Sequence, residues 1–193
     1  MSEKIYKRIR VPLDRLGVVI GKGGEVKKRI EDTLNVKLKI NKSGVITIEA
    51  DPDNADNILK AELIIKAMGL GFSPEKAFLL MKEDYNLRII DLSRYARSKK
   101  DLIRIKGRII GEKGKARRII EETTETKISV SDKEVAIIGR WSNIMLAEEA
   151  ILKIIRGARH ATVYDWLYEQ RRIQKFLEIE EKLRGDENHL SPR

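Results

Sequence analysis

Two tetrapeptides stand out for the chemistry they could do: Gly21-Lys22-Gly23-Gly24 and Gly111-Glu112-Lys113-Gly114. Glycine inside a helix costs roughly 1 kcal/mol relative to alanine, so glycines clustered between helix-like runs mark a deliberate break. A break without side chains lets a phosphate approach the backbone, and the amides that open the next helix point towards it. Cations follow at once. They are Lys22, Lys27 and Lys28 around the first break, and Lys113, Lys115, Arg117 and Arg118 around the second. The chemistry on offer is the gripping of phosphates.

Spacing excludes two familiar nucleotide loops. A dinucleotide-binding loop carries glycines at its first, third and sixth positions directly after a strand. Here the sixth position from Gly21 is Val26, and Lys113 takes the third position of the second stretch. A Walker loop needs a glycine five residues before Gly-Lys and a Ser or Thr after it, and Leu16 and Gly23 stand there instead. No nucleophile with an adjacent base is evident. His160 and His189 lack metal-ligand spacing, and the absence of cysteine removes zinc fingers and thiol catalysis. No catalytic residue, metal site or cofactor is expected, nor a small-molecule substrate.

The two breaks belong to an internal repeat. Residues 17–40 and 107–130 align without a gap, with identity at Gly17, Ile20, Gly21, Gly24, Ile30, Glu31, Thr33 and Lys37. Periodicity supplies the surrounding elements. Ile5, Ile9 and Val11 alternate in a strand, and Leu13, Leu16 and Ile20 stripe a short helix opened by Pro12. After the break, Val26, Ile30 and Leu34 share a helix face. Val36, Leu38 and Ile40 alternate in a strand, Val45, Ile46 and Ile48 form another, and Ala61, Ile65 and Met68 stripe a longer helix. The second copy repeats the order, with Leu102, Ile105 and Ile109 on its first helix and Ala147, Ile151, Ile154 and Ile155 on its last. Between the copies, Ser73 and Pro74 predict a short helix. Beyond residue 160 a helix carries Trp166, Ile173, Phe176 and Leu183 on roughly one side, which predicts packing against the second copy.

Charge is focused where the breaks are. The 193 residues carry a net +10. Residues 1–30 hold nine basic and three acidic residues, and residues 94–118 hold eleven and two, so these windows together exceed the whole chain's charge. Basicity concentrated on two turns favours a polyanionic partner over mere solubility. Aromatic residues are 5% of the chain, so base stacking cannot dominate binding. The heavily charged, cysteine-free composition suits an intracellular, heat-adapted protein. No signal peptide or membrane span is apparent, so a soluble cytoplasmic protein with no membrane partner is expected.

Ile-Gly-x-x-Gly between two helices, in the order strand, helix, helix, strand, strand, helix, resembles the KH domain of type I, and does so twice. The resemblance implies an α+β chain of two tandem type I KH domains, each with a three-stranded antiparallel sheet and three helices, followed by a C-terminal helical extension. The expected boundaries are 4–68 and 86–157 for the KH domains, 69–85 for a connecting helix, 158–185 for the C-terminal helix and 186–193 for a disordered tail. Such a domain clamps about four nucleotides of single strand. The site residues carried over are Ile20, Gly21, Lys22, Gly23, Gly24, Lys27, Lys28 and Ile40 in the first copy. In the second they are Ile110, Gly111, Glu112, Lys113, Gly114, Lys115, Arg117, Arg118 and Val130. Ile20 and Ile110 fit a core as well as a groove floor, and each break would also serve as a plain helix connector. Glu112 puts a carboxylate where the family usually has neutral or basic residues. It either points away from the strand, weakens the site or marks a protein contact.

Almost the whole chain, about 4–180, resembles the archaeal form of the Partner of Nob-one family of small-subunit ribosome assembly. The likeness is carried by "MGLGFSPEKAFLLM" and by the run from "LSRYARSKKDLIRIKGRIIGEKGK" to "GARHATVYDWL". It implies a non-enzymatic factor that holds (pre-)16S rRNA near its 3′ end during rRNA processing, beside the Nob-one endonuclease and the dimethyladenosine methyltransferase, with translation factors as further partners. Eukaryotic members carry a degenerate first module, whereas the first loop here is intact. Two other roles fit the same residues: an RNA-capturing subunit of an RNA-decay or nuclease assembly, and a protein adaptor whose second KH domain no longer takes RNA.

Overall fold

The structure, a computed structural model, describes residues 4–189. The first repeat runs β1 (Ile5–Arg10), α1 (Leu16–Ile20), α2 (Glu25–Leu34), β2 (Lys37–Ile40), β3 (Val45–Ala50) and α3 (Ala55–Gly69). A short helix, α4 (Pro74–Ala77), leads to the second repeat. This comprises β4 (Tyr85–Asp91), α5 (Lys99–Ile110), α6 (Lys115–Thr124), β5 (Lys127–Val130), β6 (Glu134–Arg140) and α7 (Trp141–Ile155). The strand orders are β1-β3-β2 and β4-β6-β5, antiparallel throughout. This is the type I order, twice, in an α+β chain.

A single helix, α8 (His160–His189), closes the chain. Residues 186–189, expected in a disordered tail, are its last turn, because Gly185 is not followed by a stop and Pro192 comes too late to end it sooner. Residues 190–193 lie outside the described residues.

The chain divides into two compact units. One runs through Arg94 and includes Lys127–Trp141; the other combines Tyr95–Thr126 with Ser142 and all that follows. The sheet of the second repeat thus belongs to the first unit, and its helices to the second.

In the first unit, Val26, Ile30 and Leu34 of α2 and Ile58, Ala61, Ile64, Ile65 and Met68 of α3 are buried with Leu38, Ile46 and Ile48. The expected stripe on α1 is different. Leu13 and Ile20 are exposed and Val19 is buried, because a 3-10 turn over Leu13–Arg15 precedes α1 and shifts the helical phase. Arg15 closes this corner by donating from Nε to the Met68 carbonyl and from Nη2 to the Phe72 carbonyl, both at 2.9 Å. The core then continues through Leu70, Phe72, Phe78 and Leu80 into Ala136 and Ile138 of β6, with Tyr85, Leu87 and Ile89 of β4 packed against it. Ser129 on β5 donates to the Leu70 carbonyl at 2.8 Å. One face of the second sheet is therefore covered by the connector.

In the second unit, Arg108 of α5 donates to the Ala158 carbonyl, and the His160 ring meets the Arg108 carbonyl at 2.8 Å. Among the described side chains of α8, those buried are Val163, Leu167 and Arg171, a stripe of period four. Ile173, Phe176 and Leu183, expected to pack, are about half or more exposed. The helix turns Arg171 inward because a polar pocket awaits it. Its guanidinium pairs with Glu125 at 2.5 Å and donates to Asn143 Oδ1 at 3.3 Å, and Gln174 donates to the same oxygen at 2.9 Å. Trp166 is half-buried, with Lys153 Nζ 4.5 Å over its ring.

On the open face of the first sheet, Glu49 lies buried between Lys39 at 2.7 Å and Lys4 at 3.2 Å. Hydrogen bonds from Lys39 and then Lys4 hold its carboxyl below the ordinary value of 4.5. Its contribution to stability is therefore fully present above that ordinary value and is lost as pH falls through the lower folded-state value. Glu49→Gln lowers stability at neutral pH and converges with the parent in acid. Urea unfolding as a function of pH checks this, and parallel curves for the two proteins would disprove it.

Candidate nucleic-acid interface

Each loop is shaped by positive φ angles. In the first, φ is 75° at Gly21, 61° at Gly23 and 85° at Gly24; in the second, it is 72° at Gly111, 49° at Lys113 and 77° at Gly114. The Gly21 amide donates to the Gly17 carbonyl and the Gly24 amide to Gly21, at 2.9 and 3.2 Å. Gly111 and Gly114 repeat these bonds at 2.8 and 3.1 Å.

The glycines divide by reason. A Cβ on Gly21 would lie 2.5 Å from Val26 Cγ2, and one on Gly111 would lie 2.7 Å from Ala116 Cβ, so these two let the loop lie tight on the following helix. A Cβ on Gly23, Gly24 or Gly114 would meet nothing within 4 Å. There the need is conformational, and the space above stays open for a ligand. Lys113 adopts the same left-handed turn as Gly23 despite its side chain, and Arg118 Nη2 donates to its carbonyl at 3.3 Å.

Helices α2 and α6 have Gly24 and Gly114 at their N-cap positions, with no side chain capping them. Helix α5 differs, since Ser98 Oγ accepts from the Asp101 amide at 3.1 Å. The Glu25 amide already donates to the Lys22 carbonyl and the Lys115 amide to that of Glu112, and with no side-chain cap the positive end of the helix dipole favours an anion at both loops.

The two copies exchange charges. Lys22 in the first loop aligns with Glu112, and Glu25 at the start of α2 aligns with Lys115 at the start of α6. All four are exposed. The carboxylate of Glu112 therefore comes with compensating cations at Lys113 and Lys115, and each loop presents a carboxylate together with lysine.

Other predicted cations fall into two groups. Lys27 pairs with Glu31 at 3.9 Å and Arg117 with Glu121 at 3.7 Å, one helical turn apart in each copy. Glu31 is itself committed, accepting the Leu38 amide at 2.7 Å. Lys28 and Lys115 are exposed and take part in no ion pair among the described residues. Within the basic N-terminal window, Arg15 and Arg29 serve the fold, the latter 3.9 Å over the Phe78 ring, and Lys7 pairs with Glu62 at 3.4 Å.

Of the apolar floor residues, Ile20 is 36% exposed, one residue from the fully buried Val19. Ile40, Ile110 and Val130 are half-buried. Ile40 packs at the edge of the first core. Ile110 ends α5 in the second unit, and Val130 ends β5 in the first.

Gly17 and Gly107 are not among the expected site residues, yet both sit inside helices, and a Cβ at either would meet nothing within 4 Å. Each lies four residues before its loop, where a helix gains nothing from glycine. Their identity between the two copies is the sequence signal that points to them.

Comparisons with known proteins agree with this geometry. The family described as KH domain matches residues 6–66, and the one described as eukaryotic type KH-domain (KH-domain type I), for the second such domain, matches residues 86–172. The second match runs past α7 and ends just after Arg171, so it includes the buried part of α8. A KH domain-containing protein of Methanocaldococcus jannaschii is 42% identical over 93% of this chain and 80% of its own. The pre-rRNA-processing protein pno1 of Emericella nidulans is 27% identical over 82% of this chain and 64% of its own length. A chain in the crystal structure of the a/eIF2alpha-aDim2p-rRNA complex from Pyrococcus horikoshii OT3 superposes with a TM-score of 0.82 at 40% identity, over 88% of this chain and 95% of that one.

Proposed function

This chain belongs to the Partner of Nob-one family of KH proteins, and from that premise we propose that it holds the 3′ region of pre-16S rRNA as an unpaired strand while the small subunit is assembled. It is an RNA-binding factor of ribosome assembly, the kind its relatives are named for. The observation that carries the finer reading is the duplicated loop: two turns with open space above them, each leading onto an uncapped helix N-terminus beside exposed lysines. Duplex RNA presents its phosphates on a stiff, wide helix, whereas a short glycine turn that grips backbone suits a flexible single strand whose bases splay.

The chain acts by holding, and the chemistry belongs to partners: the Nob-one endonuclease for cleavage and the dimethyladenosine methyltransferase for base modification. Translation factors are further partners, a reading supported by the a/eIF2alpha chain that shares a complex with the structural relative. The cytoplasm is the place of action.

If both loops and their helices contact about eight phosphates, the slope of log affinity against log salt is about −5 to −6, at roughly −0.7 per phosphate. A slope near −2 to −3 means that one loop works. Competition between an oligonucleotide from the 3′ end of small-subunit rRNA and unrelated strands tests selectivity. Preference for the former supports the assignment, and indifference shifts the protein to general RNA capture.

A further inference from the structure

The two sheets have opposite outer faces. Ile40 pairs with Ile46 in the first sheet as Val130 pairs with Val135 in the second, which sets the remaining positions in register. Arg8, Thr47 and Lys39 form one cross-strand row, and Ile89, Ala136 and Ser129 stand in its place in the second sheet. The next row is Tyr6, Glu49 and Lys37, against Leu87, Ile138 and Lys127. The apolar rows of the second sheet are covered by the connector. In the first sheet the same face is open to solvent. Tyr6 is 61% exposed, and Arg8, Arg10, Lys37 and Lys39 are all exposed.

This open face gathers Lys4, Arg8, Arg10, Lys37 and Lys39 around one carboxylate, Glu49, which is buried beneath two of them. Among the described residues, Arg8, Arg10 and Lys37 take part in no ion pair. At the hairpin end, Arg8, Lys39, Asn41, Lys42 and Thr47 line an open concavity. Alternate residues along a strand stand about 6.7 Å apart, so Arg8 and Arg10 form a regular cationic row. Self-repulsion on so small a face is relieved by a polyanion.

We infer that the outer face of the first sheet is a second RNA-binding surface, which takes the sugar-phosphate backbone of an RNA segment lying outside the glycine-loop cradle. The inference rests on the RNA reading above and extends it to a face of the domain opposite to the one its helices cover. An acidic protein is the competing occupant. Arginine and tyrosine are common in protein interfaces too, but lysine is depleted there, whereas this face carries Lys4, Lys37 and Lys39 beside its arginines. That composition matches phosphate contact with occasional stacking.

The test uses the full chain with Arg8→Ala, Arg10→Ala and Lys37→Ala combined. Two probes are titrated: a tetranucleotide that fills one cradle, and an RNA of the same sequence long enough to run beyond it. A control of equal charge loss carries Arg172→Ala, Lys175→Ala and Arg184→Ala on α8, and thermal melts verify folding. The expected result is about tenfold weaker binding of the long RNA at physiological salt, with the salt slope reduced by about 2, at roughly 0.7 for each of the lost phosphates. Tetranucleotide binding stays unchanged, and the control matches the parent. The inference is overturned if the long RNA binds as before, which is the outcome for a protein-docking face. It is also overturned if both probes weaken alike or the control loses as much. If the parent binds neither probe, the cradle reading fails first and this one falls with it.

Discussion

Lys22→Asp combined with Lys113→Asp lowers affinity for unpaired RNA about a hundredfold or more, or roughly 2.7 kcal/mol. Each substitution replaces a cation by an anion in an exposed loop at an uncapped helix N-terminus. Two phosphate contacts are lost and two repulsions are gained, so the salt slope also falls by about 1.4. Both positions are exposed, and aspartate tolerates the left-handed turn held by Lys113, so the fold survives. Fluorescence anisotropy with a labelled strand measures the loss. Affinity within threefold of the parent would reduce both loops to helix connectors. The single variants add a comparison between copies, since Glu112 already places one negative charge in the second loop.

The other large effect concerns stability. Gly21→Ala or Gly111→Ala costs about 3 kcal/mol or more. Their φ, ψ angles of 75°, 171° and 72°, 175° lie in a region that only glycine occupies readily, at about 1–3 kcal/mol for another residue. The new methyl group also meets the next helix, 2.7 Å from the Val26 amide nitrogen in one copy and 2.8 Å from that of Ala116 in the other. Backbone on that side cannot retreat, and overpacking adds a further 1–3 kcal/mol or so, roughly the cost of an inserted methylene in a packed core. Gly17→Ala runs the other way. It lies in a helix with open space around it, so alanine stabilises by roughly 1 kcal/mol while weakening RNA binding by obstructing close approach. Urea unfolding beside RNA titration separates the two glycine classes. Equal stability losses at Gly17 and Gly21 would refute the division.

The loops, the repeat and most helix stripes are legible in the sequence because glycine and apolar periodicity are local signals. Val26, Ile30 and Leu34 lie where a period of 3.6 puts them. Apolar spacing misleads on the first helix because Pro12 starts a 3-10 turn, whose three-residue period moves the buried position to Val19. On α8, Ile173, Phe176 and Leu183 point to the wrong side. The buried stripe ends in Arg171, and only the partners Glu125 and Asn143, distant in sequence, explain why an arginine belongs there. The exclusions of the dinucleotide-binding and Walker loops need spacing alone. The fate of the two sheets needs strand register, since Arg8 and Ile89 become equivalent only once both ladders are aligned.

The connector's cover over Leu87, Ile89, Ala136 and Ile138 has a consequence for dissection. A gene fragment beginning at the second repeat would strip those side chains of their shelter and present a greasy, edge-bounded slab to water, inviting self-association. The first repeat, whose corresponding slab is already charged, needs no such shelter on that face. Duplication has here produced unequal siblings, and the outer slab of the second is finished only by the stretch of chain that comes before it.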